Sequence, residues 1–384
     1  MVNKIYLDYA ATTPTDPKVV KAMLPFMSKK FGNTMSLHSL GQEAKIALEQ
    51  SRKTIADFIG ADIGEIIFTS SATESNNMAL KGIAFFNRKK GRQVIISSIE
   101  HPCIVESAKW LEKQGFEIIK IPVDKYGIVN PEDIKKAITQ KTILVSIIHG
   151  SNEIGTIQPI KEIGKICKEA GVYFHTDAVQ TFGKIPINVN EMNVDLLTAS
   201  SHKIYGPKGA GLLYVRQGVK IEPLLHGGGQ ENGLRGSTIN LPAIVGFAKA
   251  VEICEKTLKK EGIRLIKLRD YLIKNILKIK GSYLNGSEKQ RLPNNVNVRF
   301  DFIEGESLII QLDMISIACS TGSACSSFSL EPSHVLLATG LKPEQAHGSL
   351  RISLGRFTTK KEIDYLLKNL PKIIEKLRIM SPFK

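Results

Sequence analysis

Paired cysteines are missing from this sequence. Cys103, Cys167, Cys254, Cys319 and Cys325 form no C-x-x-C pair and no zinc spacing. A sparse, odd set in a chain of 384 residues argues against a disulfide framework and for a reducing compartment. Also absent is an apolar run long enough to span a bilayer, since Ile143-Leu144-Val145-Ser146-Ile147-Ile148 is only strand-sized. Met1 to Asp8 holds no apolar signal core, so a cytoplasmic location is expected. The glycine-rich stretch from His226 to Thr238 lacks the G-K-[ST] ending of a nucleotide P-loop, which excludes an ATPase of that kind. No internal repeat is visible, and no linker is rich enough to separate independent domains.

What is present is ordinary for a globular chain, with 42% hydrophobic and 23% charged residues. The net charge of +15 leaves a nucleic acid or acidic protein open as a partner. Much of the excess lies between Lys256 and Lys280, where lysines alternate with Leu258, Ile263, Leu265, Ile266, Leu268, Leu272, Ile273, Ile276 and Leu277. That pattern is an amphipathic helix with a solvated face, so binding of nucleic acid is not expected from it.

From Glu65 to Val215 apolar, β-rich runs alternate with helical periodicity, which indicates an α/β fold around a mostly parallel sheet. Ligands of such sheets gather beyond the carboxyl ends of the strands. Polar groups recur at five strand ends: Ser71 to Thr73, His101, Asn152, Asp177 with Gln180, and Ser200 to Lys203. Ser71 and Glu74 have capping-box spacing at a helix start that suits an anion. The loop from Phe31 to His38 offers Asn33 and His38. Beyond the helices spanning Ala243 to Lys280, the segments Asn295 to Phe300, Ser307 to Leu312 and Ser349 to Leu354 suggest a smaller α+β domain closed by a helix from Lys361 to Arg378.

Two stretches carry reactive groups. In Ala199-Ser200-Ser201-His202-Lys203-Ile204-Tyr205-Gly206-Pro207-Lys208-Gly209, a lysine sits just past a strand end among small and hydroxylated residues. Such an amine can form a Schiff base with a carbonyl, although a surface lysine before a turn reads the same locally. In Ser316 to Ser329, Cys325 lies among small residues that offer little apolar surface, unlike a buried structural cysteine. Cys319 follows Ile315 and Ile317 and reads as structural.

The segments Thr69 to Asn77, Asn152-Glu153-Ile154-Gly155, His175 to Gln180, Ser201 to Gly209, Gly322-Ser323-Ala324-Cys325-Ser326 and Leu350 to Arg356 resemble the class-V, fold-type-I pyridoxal-phosphate enzymes. More narrowly they resemble the cysteine desulfurases of the IscS/NifS group, in order from Tyr6 to the C-terminal helix. The resemblance implies a large domain over 14–255 with a mostly parallel seven-stranded sheet. It implies a small domain of 1–13 and 256–384 that carries the cysteine loop at about 316–330. Lys203 would hold the cofactor covalently, Asp177 would pair with the pyridine nitrogen, and His101 would stack on the ring as a further catalytic residue. Gln180 would meet the ring oxygen, with Asn152 nearby. Ala72, Thr73, Ser200 and His202 would hold the phosphate, joined by Thr238 from the other subunit of a homodimer. Arg351 would clamp the substrate carboxylate, assisted by Asn33.

On this reading L-cysteine is the substrate and L-alanine the product. Cys325, as thiolate, would take the sulfur as a persulfide and pass it to an IscU-like scaffold or another acceptor for iron–sulfur assembly. Cys325 would also be a metal ligand if a transient 2Fe–2S cluster were shared with that scaffold. Ser71 stands where many relatives have glycine, Arg235-Gly236-Ser237-Thr238 replaces R-S-G-T, and Thr34-Met35-Ser36 replaces P-S-S. A selenocysteine lyase or an aminotransferase of the same fold is the enzymatic alternative, and a cofactor-free sulfur carrier the non-enzymatic one.

Overall fold

A computed structural model describes residues 4–321 and 331–381. The elements run β1 (Ile5–Tyr6), α1 (Pro17–Ser28), α2 (Ser39–Ile59), β2 (Ile66–Thr69), α3 (Ala72–Asn87), β3 (Gln93–Ser97), α4 (Pro102–Lys113), β4 (Glu117–Ile121), α5 (Pro131–Ala137), β5 (Thr142–Ser146), α6 (Ile160–Ala170), β6 (Tyr173–Asp177), β7 (Leu196–Ser200) and β8 (Gly211–Val215). There follow α7 (Leu241–Ile276), β9 (Ser282–Leu284), β10 (Asn295–Phe300), α8 (Gly305–Met314), β11 (Ile317–Ala318), α9 (His334–Ala338), α10 (Pro343–His347), β12 (Ser349–Ser353) and α11 (Lys360–Met380).

The expected seven-stranded sheet is present, in the order β2-β8-β7-β6-β5-β3-β4. Only β8 runs against its neighbours β2 and β7. The other six therefore point the same way, and their carboxyl ends share one edge. β2, β3, β5, β7 and β8 are buried along their whole length, because helices cover both faces of the sheet. One face packs Phe68, Val145, Phe174, Leu197 and Leu212 against α2, α6 and the start of α7. The other packs Ile67, Val94, Leu144 and Leu213 against α3 and α4. At β8, Gly211 is required: a Cβ there would lie 2.6 Å from the Ser71 carbonyl carbon and 3.0 Å from the Ala72 nitrogen. Its absence lets the start of α3 lie against the strand.

A second core joins Ile5 and Leu7 to Leu265, Leu272, Val296, Val298, Leu350, Ile352, Leu366 and Leu370. It is built on the antiparallel sheet β12-β10-β9 and on the parallel pair of β1 with β11. The segment Ser307 to Leu312 lies inside α8. The helices expected over Ala243 to Lys280 are one helix of 36 residues, α7, reaching from the first core into the second. Its lysine-rich half buries Leu265, Leu272, Ile273 and Ile276, while Ile263, Ile266 and Leu277 stay exposed, so the apolar stripe is narrower than the sequence pattern. Among the described residues no helix is long and apolar enough to cross a membrane.

Candidate active site

Lys203 closes a short turn, Ser201–Lys203, directly after β7. Its Nζ donates to the carbonyls of Ala10 at 2.7 Å and Ala11 at 2.6 Å. Beside it, His202 Nδ1 lies 3.1 Å from Thr12 Oγ1, and Thr13 Oγ1 donates to the His202 carbonyl at 2.9 Å. The turn from Asp8 to Thr13, which the sequence marks only as polar, thus packs over the lysine. Burial pushes His202 down to about 4, with Lys203, Lys208 and Lys184 adding to the effect, so its ring is neutral at physiological pH.

Asp177 ends β6, the strand next to β7, and is almost wholly buried. Its Oδ1 accepts the Val179 N–H at 3.0 Å, and its Oδ2 accepts Asn76 Nδ2 at 2.7 Å. Asn76 is fully buried on α3, and its Oδ1 has no partner among the described residues. The same Asn76 Nδ2 lies 3.1 Å from Cys103 Sγ, which is 3.0 Å from His101 Nδ1.

His101 caps α4, its Nδ1 accepting the Cys103 N–H at 3.2 Å. A backbone N–H can only donate, so the neutral ring carries its proton on Nε2. Burial lowers the His101 pKa; Asp177 opposes this, and Lys203 and His334 add to it. The charges of Asp177 and Lys203 therefore both reach the ring. Burial pushes the Cys103 thiol up to about 12, so it stays protonated. Just before it, the fully buried Glu100 accepts from Ser97 Oγ at 2.5 Å and Ile148 N–H at 2.8 Å, and burial pushes it up to about 8.

Ala72 and Thr73 supply the first amides of α3, where intrahelical acceptors are missing. The capping box is incomplete. Ser71 Oγ accepts the Glu74 N–H at 3.2 Å, but the Glu74 carboxylate takes Ser70 N–H at 2.9 Å and Arg235 Nε at 2.8 Å. Gln180 donates from Nε2 to the Ala10 carbonyl at 2.9 Å, and its Oε1 accepts Lys184 Nζ at 3.0 Å.

Arg351, on β12, is 2% exposed. Its Nη2 donates to Asp8 Oδ1 at 2.9 Å and its Nη1 to the Asn152 carbonyl at 3.2 Å. Nε has no partner among the described residues. The Arg351 backbone exchanges hydrogen bonds of 2.7 and 3.2 Å with Ser320. On the far side, Ser333 Oγ donates to Glu153 Oε2 at 2.5 Å, and His334 Nε2 donates to the Glu100 carbonyl at 2.9 Å. Cys325 lies outside the described residues, but the chain on both sides of its segment is tied to site elements. Burial pushes Cys319 up to about 12, in keeping with its structural reading.

The fold therefore gathers Lys203, His202, Ser200, Asp177, Gln180, His101, Asn152, Ala72, Thr73 and Arg351 along one edge of the sheet and the adjoining β12. It does not bring in Asn33, which is exposed and turns its Oδ1 to the Met35 N–H at 2.9 Å. His38 caps α2 through the Gly41 N–H. Thr238 stands exposed on the glycine-rich segment. Sequence reasoning gave no role to Asp8, the Ala10 and Ala11 carbonyls, Asn76, Cys103, Glu100 or Lys184. A polar residue one turn into a capped helix was a usable signal for Asn76; a main-chain carbonyl leaves none.

A family model described as aminotransferase class-V matches residues 5–366. The chain belongs to the class-V aminotransferase family. It is 54% identical over 385 aligned residues to the cysteine desulfurase IscS of Dictyoglomus turgidum, covering 100% of this chain and 98% of that protein. It is 55% identical to cysteine desulfurase IscS 1 of Archaeoglobus fulgidus, with 98% of each chain covered. A solved NifS-like protein superposes with a TM-score of 0.92 at 40% identity, covering 97% of this chain and all of that one. This class-V chain is a pyridoxal-phosphate-dependent enzyme of fold type I.

The residues of the site suit that cofactor. They provide an amine at Lys203, a buried carboxylate held by two donors at Asp177, helix-start amides at Ala72 and Thr73 for a phosphate, and a guanidinium with an unspent Nε. The two donors fix the direction in which the Asp177 carboxylate faces, and a carboxylate is the group that pairs with a protonated pyridine nitrogen.

Proposed function

We propose that the chain is a cysteine desulfurase that takes sulfur from L-cysteine, releases L-alanine and keeps the sulfur as a persulfide on Cys325. The observation that carries this reading is the double attachment of Arg351. Its side chain lies beside the turn that covers Lys203, and its backbone pairs with Ser320, a few residues before Cys325. A carboxylate clamp whose backbone pairs with the chain leading towards Cys325 suits an amino acid whose side-chain sulfur must be attacked.

Ala72, Thr73, Ser200 and His202 would hold the phosphate, Asp177 the pyridine nitrogen, Gln180 the ring oxygen with Asn152 nearby, and His101 the ring face. Bound there, pyridoxal phosphate draws off the negative charge that develops at the substrate Cα. Arg351 holds the carboxylate through a charge-assisted pair. Lys203 uses its amine to take the Cα proton, and its anchors at Ala10 and Ala11 define where that amine rests. His101, with its proton on Nε2, would offer that N–H as a donor to the cofactor. The Cys325 thiolate attacks the substrate sulfur; the S–Cβ bond breaks, its electron pair stays with carbon, and protonation there yields alanine. The sulfur then passes to a scaffold of the IscU kind or another acceptor, with a 2Fe–2S cluster as cargo that Cys325 would help to ligate in transit.

A homodimer completes the site, Thr238 of one copy serving the phosphate of the other. Its support is an exposed apolar patch of Leu24, Met27, Phe31, Met35, Leu37 and Ile46, each more than half exposed in the single chain. The division into 14–255 and a smaller lobe of 1–13 with 256–384 draws support from the two separate cores.

Single turnover with L-cysteine, without reductant, tests the reading. Stoichiometric alanine with one added sulfur on the Cys325 peptide is expected. Alanine without that added sulfur refutes the Cys325 persulfide, and no alanine from a cofactor-loaded protein refutes the desulfurase.

A further inference from the structure

Lys184 stands one helical turn beyond Gln180 and has no role in the chemistry above. It lines a narrow cavity of about 30 Å³ together with Lys203, Tyr205, Cys254, Glu261 and Arg356, behind the turn that presents Lys203. Its ammonium has one hydrogen-bond acceptor among the described side chains, Gln180 Oε1 at 3.0 Å. The other end of the same amide donates to the Ala10 carbonyl at 2.9 Å, and that carbonyl also takes Lys203 Nζ at 2.7 Å.

These contacts fix the amide's orientation. A lysine amine donates in either charge state, and a carbonyl has no donor. Turning the Gln180 amide over would set its oxygen against the Ala10 oxygen and take away the acceptor that faces Lys184. With the oxygen held by Lys184 and one N–H held by Ala10, a single N–H remains.

We propose that Lys184 is a positioning residue for the cofactor site, holding the Gln180 amide so that its remaining N–H faces the cofactor. The proposal rests on the reading that Gln180 meets the ring oxygen. Loss of Lys184 leaves Ala10 as the amide's one anchor among the described residues, and Ala10 also serves Lys203. The amide then rotates, and the donor at the ring oxygen is lost for part of the time. A donor at an oxygen favours its ionised form, so its loss raises the pH at which the holoenzyme's visible absorption titrates.

The surroundings suit a residue kept for its hydrogen bond rather than for its charge. Burial pushes Lys184 down to about 7, Lys203 pushes the same way, and Cys254 and Glu261 oppose. Tyr9, Tyr205 and Arg356 complete the titratable and charged lining.

The test uses the pyridoxal-phosphate-loaded protein and three changes: Lys184→Met, Lys184→Arg and Gln180→Ala. The readouts are the pH midpoint of the visible absorption change and kcat/KM for L-cysteine. Lys184→Met is expected to raise the midpoint by about half a pH unit or more and to lower kcat/KM several-fold, with cofactor content unchanged. Lys184→Arg, which keeps a donor, restores most of both. In a Gln180→Ala background, Lys184→Met adds nothing, because the residue through which it acts is gone. A Lys184→Met midpoint equal to the parent's overturns the proposal. So does an equal effect with and without Gln180, which would assign the change to charge acting through space. A parent protein that shows no visible band after loading would instead refute the cofactor reading beneath it.

Discussion

Replacing Arg351 by lysine separates recognition from folding. The parent guanidinium spends Nη2 on Asp8 and Nη1 on the Asn152 carbonyl and leaves Nε buried without a partner among the described residues. An unsatisfied buried donor costs about 1–3 kcal/mol, and a hydrogen bond to a charged group returns about 1.5–3 kcal/mol. A substrate carboxylate placed at Nε relieves the first and gains the second. Lysine keeps the charge and can still reach for Asp8, but it has no planar fork to serve both carboxylates. Taking only the lost charged bond, 1.5–3 kcal/mol corresponds to about a 10- to 150-fold rise in KM for L-cysteine. Arg351→Met is a different perturbation, for it leaves the mostly buried Asp8 without its cation. Breaking such a pair costs about 3–5 kcal/mol of stability, and the partial exposure of Asp8 puts this case at the low end. The assay is alanine formation across a range of cysteine concentrations, with thermal melts of each variant. An Arg351→Lys protein that melts like the parent and keeps its KM would refute the assignment of Nε to the substrate.

Asp177→Asn removes the charge opposite the ring nitrogen while Asn76 and Val179 remain. A fall of about 10²–10³ in kcat with cofactor still bound is expected in steady-state assays, and undiminished turnover would count against the pairing. Glu100 is pushed up to about 8 in the fold, so its contribution to stability is full below its ordinary value near 4.5 and is lost as pH rises toward 8. Glu100→Gln removes that dependence, and its stability relative to the parent should grow by up to about 1.4 kcal/mol per pH unit across that window in denaturant titrations. A constant difference from pH 5 to 8 would show that Glu100 is ionised in the fold. Phe31→Asp with Leu37→Asp should convert a dimer into a monomer by light scattering, and a variant that stays dimeric would place the interface elsewhere.

The sheet was legible because strands buried on both faces leave continuous apolar runs, as in Ile143 to Ile148, and because hydroxyl and charged residues follow them abruptly. Asp177, His101 and Lys203 could be placed near one another from that alternation alone. The α7 helix was harder, since Gly246 and Gly262 interrupt its pattern. Gly246 is there for contact, because a Cβ would come within 2.7 Å of Met23 Sδ. The N-terminal turn from Asp8 to Thr13 shows in the sequence only as a polar turn after a short strand. Its pairing with Lys203 and Arg351 spans most of the chain, and no local period records such a distance. Asn33 and Thr238 lie exposed at the surface of the single chain, and no local pattern records what they would meet.

The pairing of β1 with β11 has a consequence for how the protein is made. The seven strands of the main sheet are all synthesised by Val215, and they can assemble while the ribosome is still extending the chain. The first strand cannot, because Ile5 and Tyr6 pair with Ile317 and Ala318. At about 5–20 residues per second, the beginning of the chain waits roughly fifteen to sixty seconds for that partner. Until then Asp8 lacks Arg351, although Thr13 can already meet His202 and Gln180 can already meet the Ala10 carbonyl. The turn over Lys203 can therefore seat early, while the arginine clamp is among the last parts of the site to form.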